Sequence, residues 1–406
     1  MEEIRLERLP PEAYPAYRRK AIFEACKWDP QIGDVNALCG HAVVLSPGAA
    51  ERLASDAERL AAETAALDEA ILRRPDLHRE LGLNRALRGA LRGALRRTDG
   101  RLPEQVRLMR FDFHPTADGW AVSEVNSDVP GGFGEAAVLP RLAAALLPGT
   151  VPAGPDPAAA VARAFAARLP AGSRIALVHC TAYSDDRQVM EFIARACLEA
   201  GLRPLMAAPD HLRRRGGRWE CVAGGQEGPV HGVFRFFPAE WLPNLPAGWR
   251  DYFQPGPPAC NHPLVLLTQS KRAPLLWDRL GVPVPAWRAL LPETVDPRRA
   301  DWQRDGNWVL KPALGRVGED IGIREVLSPK EWKGIRRNAR RHPRQWVAQR
   351  RFRSRPVPTG GGDRHLCVGV YTVDGKAAGF YARVASRPRI DQYAEDAPVL
   401  TAGRDA

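Results

Sequence analysis

Lysine is almost missing from this chain of 406 residues. Of its 59 basic residues only seven are lysines, at positions 20, 27, 271, 311, 330, 333 and 376, and the stretch from Trp28 to Ser270 has none. Arginine carries the rest of the positive charge, so a lysine that persists is more suggestive than usual. Cysteine is sparse as well: seven residues at irregular spacings with no Cys-x-x-Cys, most of them in apolar stretches such as Ala176-Leu177-Val178-His179-Cys180. That pattern reads as reduced, buried thiols in a cytoplasmic protein. The nine histidines form no His-x-His, no His-Glu-x-x-His and no Cys/His cluster, which argues against a structural zinc site. No apolar run reaches the roughly 18 residues of a spanning helix, so no membrane association is expected. The N-terminal Met1-Glu2-Glu3-Ile4-Arg5 has no secretory character. Gly-x-Gly-x-x-Gly and the P-loop pattern are both absent, so neither familiar nucleotide loop is available.

What is present is an ordinary globular composition, 45% hydrophobic and 26% charged, with length for two or three packed domains. A net charge of +12 suits anionic ligands: nucleotides, phosphates, acidic substrates or nucleic acid. No nucleic-acid motif or aromatic–basic interleaving accompanies it, which weighs against a nucleic-acid partner. Helical spacing predicts helices over 13–27, 48–73 and 84–97. Strands at 105–114 and 120–126 flank a turn at 115–119, and a Gly/Pro loop at 130–134 leads to a helix over 135–147. Residues 149–157 read as a linker. The strand–helix–strand run 173–180, 186–200, 203–208 predicts a parallel sheet, which 219–222 and 230–236 should extend. After an irregular stretch at 243–263 come a helix 271–280, a strand 308–311, a glycine loop 312–320, a strand 321–326, a helix 329–341 and a strand 345–350. A disordered-looking stretch 353–364, a hairpin 366–373/376–384 turning at Asp374-Gly375, and a loose end 386–406 complete the chain.

Three constellations carry chemistry. In the first hairpin, a turn centred on Asp118 sets Arg110 opposite Asn126 and Asp112 opposite Glu124. Strand alternation then puts these four on one face and Met109, Phe111, Phe113, Ala121 and Val125 on the apolar other. Two facing carboxylates repel unless a cation lies between them. Asp, Glu and an Asn amide oxygen are the hard ligands that Mg²⁺ takes when it also holds phosphates, and Arg110 suits a phosphate or carboxylate. The second constellation is the strand ending in Lys311 that runs into a loop with Gly315 and Gly318 three apart, able to bring backbone amides close to phosphate oxygens. The third is Lys271 at the start of an apolar helix, a candidate for a second phosphate contact. Taken singly, a solvated polar face, a hairpin turn and a capping lysine are the plain alternatives.

Five blocks together resemble the synthetase domain of glutathionylspermidine synthase and its relatives. They are Arg110-x-Asp112…Glu124-x-Asn126-x-Asp128-x-Pro130, Phe234–Leu242, Ser270-Lys271…Pro274-Leu275-Leu276-Trp277, Lys311-Pro312…Gly315-Arg316-x-Gly318 and Gly379–Arg383, in the family's order. The resemblance implies an α/β ATP-grasp fold with a preceding parallel-sheet domain of pre-ATP-grasp type. Residues 1–150 would hold an N-terminal helical region and the metal-ligand hairpin, and 151–262 the α/β substrate domain. Residues 263–390 would form the nucleotide-binding lobe and lid, and 391–406 a loose tail. It implies a ligase that joins a small-molecule or peptide carboxylate to an amine through an acylphosphate, using ATP and Mg²⁺ and releasing ADP. Asp112, Glu124 and Asn126 would hold the metal. Arg110 would stabilise the transferring phosphoryl group. Lys271, Lys311 and Arg383 would meet ATP phosphates under the loop Gly315-Arg316-Val317-Gly318, and Gln349 would read adenine. Where the family carries small hydroxyl residues after its Asn-x-Asp, this chain has Val129-Pro130-Gly131-Gly132. An ATP-binding relative without ligase turnover, acting as a regulatory or partner-binding protein, is the alternative reading.

Overall fold

The computed structural model describes residues 3–245, 248–315 and 320–403. Its centre is an antiparallel sheet in the order Glu395–Ala397, Lys376–Ala385, Gly362–Val373, Leu108–Thr116, Gly119–Asn126, with Val357–Thr359 pairing alongside Gly362–Val373. Alternation gives this sheet two characters. One face carries Phe111, Phe113, Leu366, Val368, Val370 and Val384, all buried in the main core. The long helix Pro47–Leu72 packs there through Leu53, Leu60, Leu67 and Ile71. Ser46 caps that helix by accepting from the Ala49 amide at 3.2 Å. The other face carries Arg110, Asp112, Glu124, Asn126, Gly369, Tyr381 and Arg383.

The strand–helix–strand unit forms as expected: Arg174–Val178, helix Ser184–Glu199 and Arg203–Ala207, joined by Gly232–Arg235 and Ala259–Cys260 in one parallel sheet. The stretch 219–222 does not extend it. Arg218–Cys221 pairs instead with Leu212–Arg215 and Gly228–Val230 in a separate antiparallel sheet. A third sheet of Thr294–Val295, Trp346–Arg350 and Trp308–Pro312 is covered by the helix Pro329–Arg341. Trp302, Trp308, Leu310, Ile335 and Trp346 form its own small core.

Several other expectations are corrected. No strand forms over 321–326: Gly322 makes a single bridge to Leu310, and the chain then turns, the Val326 amide donating to the Ile323 carbonyl at 3.0 Å. The helix over 271–280 starts only at Ala273, with Pro274 in its first turn, and is split into Ala273–Leu276 (3-10) and Trp277–Leu280. Residues 353–364 are ordered and enter the central sheet. The supposed linker contains Thr150–Pro152. The supposed loose end contains Val399–Ala402, which lies between Thr150–Pro152 and His41–Leu45 with Ile4–Arg8 beyond. Among the described residues no helix is long and apolar enough to cross a membrane.

Candidate functional site

The first hairpin presents its polar face as anticipated. Arg110 lies opposite Asn126 and Asp112 opposite Glu124. The turn is centred one half-residue earlier than expected, on Ala117-Asp118, and nearer the turn Phe113 faces Val122 and His114 faces Ala121. A bulge at Ser123 restores the register. As a result Val122 and Trp120, not Ala121, join Val125 on the core side. The bulge also re-aims the backbone, as bulges near active sites do: the Ser123 carbonyl accepts from Lys311 Nζ at 3.0 Å, and Ser123 Oγ lies 3.1 Å from His114 Nε2.

Arg110 grips Asp112 with two hydrogen bonds, Nε to Oδ1 at 2.8 Å and Nη2 to Oδ2 at 3.1 Å, and donates to the Gly131 carbonyl at 2.8 Å. Its guanidinium carbon sits 4.8 Å from the Tyr381 ring centre and 5.9 Å from that of Tyr371. Gly369 lies across the sheet from Asp112, and a Cβ there would come within 2.7 Å of Arg110 Cδ, so only glycine leaves room for the pair. Asn126 Nδ2 donates to Asp112 Oδ2 at 3.0 Å. Lys271 Nζ lies 2.7 Å from Glu124 Oε2 and donates to the Gly315 carbonyl at 2.8 Å. Each carboxylate is thus neutralised by a protein cation. Burial raises the Glu124 carboxyl, but Lys271 and Lys311 outweigh it and hold the group below the usual carboxylate range. Burial, with Lys271 nearby, lowers Lys311 to about 8 against the pull of Glu124. Burial and Lys311 push His114 down to about 4, so it is neutral at pH 7.

Arg110, Asp112, Glu124, Asn126, Lys311, Gln349 and Arg383 line one cleft of about 850 Å³. Lys271 lines a narrow pocket of about 40 Å³ beside it, together with Glu124, Lys311 and Gln349. Gln349 donates to Thr294 Oγ1 at 2.9 Å. Arg383 donates to the Ala394 carbonyl at 2.8 Å and lies 3.8 Å from Asp396. Gly315 is at the edge of the glycine loop; Arg316 and Gly318 lie outside the described residues. Among the described residues no three His, Cys, Asp or Glu side chains form a metal cluster. The candidate donors are two carboxylates and an amide, all oxygen, a set that suits a hard divalent cation rather than zinc or copper.

Sequence reasoning missed the supports. Lys27 bonds Glu135 Oε1 at 2.6 Å and Asp396 Oδ2 at 2.7 Å, and Asp396 Oδ1 accepts from Tyr381, the ring stacked on Arg110, at 2.7 Å. The scarcity of lysine pointed at residue 27, and nothing local in the sequence linked it to Arg110. The loop after the hairpin is held by Gln269 Oε1, which accepts from the Ser127 and Asp128 amides at 2.8 and 2.9 Å, and by the buried Arg235–Asp128 ion pair. Gly132, at φ +92°, has no space for a Cβ between Tyr371 and Tyr381. Gly132 thus lets the two rings close on Arg110.

The family profile described as glutathionylspermidine synthase preATP-grasp matches residues 25–400. Among solved structures, a putative gamma-glutamylcysteine synthetase from Methylobacillus flagellatus KT is similar at 13% identity, covering 84% of this chain and 88% of its own, with a TM-score of 0.39. None of the curated proteins compared matches the chain. The architecture is mixed α/β, with a parallel sheet beside antiparallel ones, in keeping with an ATP-grasp-related fold. By the match over 25–400, the chain belongs to the glutathionylspermidine synthase preATP-grasp family.

Proposed function

We propose that the protein is an ATP- and Mg²⁺-dependent ligase that joins a carboxylate to an amine through an acylphosphate, releasing ADP and phosphate. The observation that carries this reading is a cleft and its adjoining pocket, where two lysines and an arginine converge on a pair of facing carboxylates. Phosphoryl transfer needs positioned charge more than a protein nucleophile. The substrate carboxylate oxygen attacks the γ-phosphorus as its bond to ADP breaks. The amine nitrogen then attacks the acyl carbon, the bond to phosphate breaks, and the amine gives up a proton.

In this scheme Lys271 and Lys311 hold the triphosphate and Arg383 meets its outer oxygens. Gln349 faces the base. The glycine-rich sequence that contains Gly315, Arg316 and Gly318 would serve to keep water from the acylphosphate. Arg110, fixed by Tyr381 and the Gly131 carbonyl, stabilises charge on the transferring group and on the tetrahedral centre. Asp112, Glu124 and Asn126 would hold Mg²⁺, which would supply neutralisation of the phosphate oxygens.

The test is ADP formation with ATP, Mg²⁺ and pooled carboxylates and amines. Activity should fall at least a hundredfold in Asp112→Asn and in Lys311→Ala. Turnover that survives either change would overturn the reading. ATP binding with no ADP across the pools would favour the relative without turnover.

A further inference from the structure

The cleft has a second end that phosphate chemistry does not use. Its lining also takes in Phe236 and Trp241, Gln188 and Val189 on the helix Ser184–Glu199, and Asp29 and Ile32. Ile32 belongs to a short hairpin, Gln31–Ile32 with Val35–Asn36, that pairs with no other strand among the described residues and turns at Gly33. Large side chains on these segments stand in solvent: Trp28, next to Asp29, is 46% exposed, Val35 of the hairpin 45%, Tyr183 at the start of the helix 62% and Trp241 43%. They come from three separate elements, yet the pieces are tied. The Trp28 amide donates to Gln188 Oε1 at 3.0 Å, and Arg195 of the same helix holds the Phe23 and Glu24 carbonyls. Apolar surface gathered at the mouth of a cleft marks a binding site rather than chance exposure.

The charge here opposes that of the whole chain. Asp29, Asp185 and Asp186 line the cleft and Asp34 sits at the hairpin tip. Among the described residues Asp29, Asp34 and Asp185 have no cationic partner. Two cations on these segments are paired elsewhere: Lys27 with Glu135 and Asp396, and Arg187 with Glu191 at 2.7 Å. The same cleft is lined by Arg350, Arg351, Arg353 and Arg389 as well, so in a protein of net charge +12 the acidic, aromatic surface is confined to the segments around Asp29 and Asp185.

We propose that this end of the cleft binds a peptide bearing basic and apolar side chains, which enters as one of the two ligase substrates. Its role as a substrate rests on the ligase reading above; its binding does not. A linear polyamine would meet the carboxylates but leave Trp28, Tyr183 and Trp241 bare. A single aromatic amine could not reach side chains on three elements. An extended peptide does both, since successive side chains alternate in direction. The unpaired edges of the small hairpin also offer hydrogen bonds to its main chain.

The test uses the full chain without nucleotide and a labelled, N-acetylated hexapeptide alternating lysine with phenylalanine, followed by fluorescence anisotropy. It should bind at least tenfold tighter than the same peptide with glutamate for lysine or serine for phenylalanine. Trp28→Ala and Asp29→Asn, both at exposed positions, should each weaken it at least fivefold while ATP affinity stays within twofold. Equal binding of all three peptides, no binding of any, or displacement by spermine with no effect of Trp28→Ala would overturn the proposal. Peptide binding without ADP formation would sink the ligase reading and leave this one standing. ADP formation with small amines and no peptide binding would do the reverse.

Discussion

Lys311 is an ammonium in a place that discourages one. It is 5% exposed, it donates to the Ser123 carbonyl, and its acidity is set near pH 8 rather than the usual 10 or so. A triphosphate needs the charged form. ATP affinity should therefore be flat below pH 8 and fall above it by up to about tenfold per unit, as calorimetric titrations at pH 7, 8 and 9 would show. In Lys311→Met affinity should be lower throughout and lose this step. The effect on stability has the opposite sign. Between pH 8 and 10 the unfolded chain holds the proton that the folded one has lost, so this residue's contribution to stability rises with pH there. Tyr381 offers a second residue-scale prediction. Tyr381→Leu removes the ring from Arg110, an interaction worth about 0.5–2 kcal/mol. The turnover number should fall by about tenfold with ATP affinity unchanged. Tyr381→Phe keeps the ring, loses only the bond to Asp396, and should retain most of the activity.

At the scale of elements, the hairpin 108–126 shows what a bulge contributes. Without Ser123 the strand would be regular, with Val122 inward, Glu124 outward and Val125 inward. Deleting Ser123 should leave the fold and the facing carboxylates intact, and remove the carbonyl that Lys311 bonds. Circular dichroism should be unchanged while ATP affinity drops; an unfolded deletion variant would refute the account. The hairpin was legible because period-two alternation survives in Arg110, Asp112, Glu124 and Asn126. The bulge was not, because nothing in Val122-Ser123-Glu124 marks an extra residue, and the misplaced turn and the missed bulge compensated each other. The helix Pro329–Arg341 was legible for a local reason: Ser328 and Glu331 cap each other, the Glu331 amide reaching Ser328 Oγ at 3.2 Å and the Ser328 amide reaching Glu331 Oε2 at 2.9 Å. Strands of three or four residues, such as Thr150–Pro152 and Val399–Ala402, are too short to show a period, and their partners lie far away in sequence. The site residues were legible as types and spacings. Their supports, Lys27 with Asp396 and Asp128 with Arg235, were not, because those pairs form only once distant segments fold together.

Across the whole molecule, the central sheet takes strands from 108–126 and from 357–397, and the sheet beside it joins 4–8 and 41–45 to 150–152 and 399–402. Val399 and Leu400 are fully buried in it. Ending the chain at residue 394 removes both, at about 1.5–3 kcal/mol each, together with Asp396. That loss is a large share of a typical domain's stability. The shortened protein should melt at least 10 °C lower or fail to fold, as calorimetry would show, and a truncated protein with an unchanged melting temperature would contradict this role for the strand.

The charge pairs Arg110–Asp112 and Lys271–Glu124 leave the resting cleft self-compensated. A bare triphosphate would draw the two cations away and strand the carboxylates; a bare divalent ion would do the converse. Neither gains much alone, and each makes the other's entry easier. Nucleotide and metal should therefore arrive as a single salt, with titrations of either in the absence of the other giving affinities at least tenfold weaker, so that the cleft stays deaf to stray ions and to uncomplexed nucleotide alike.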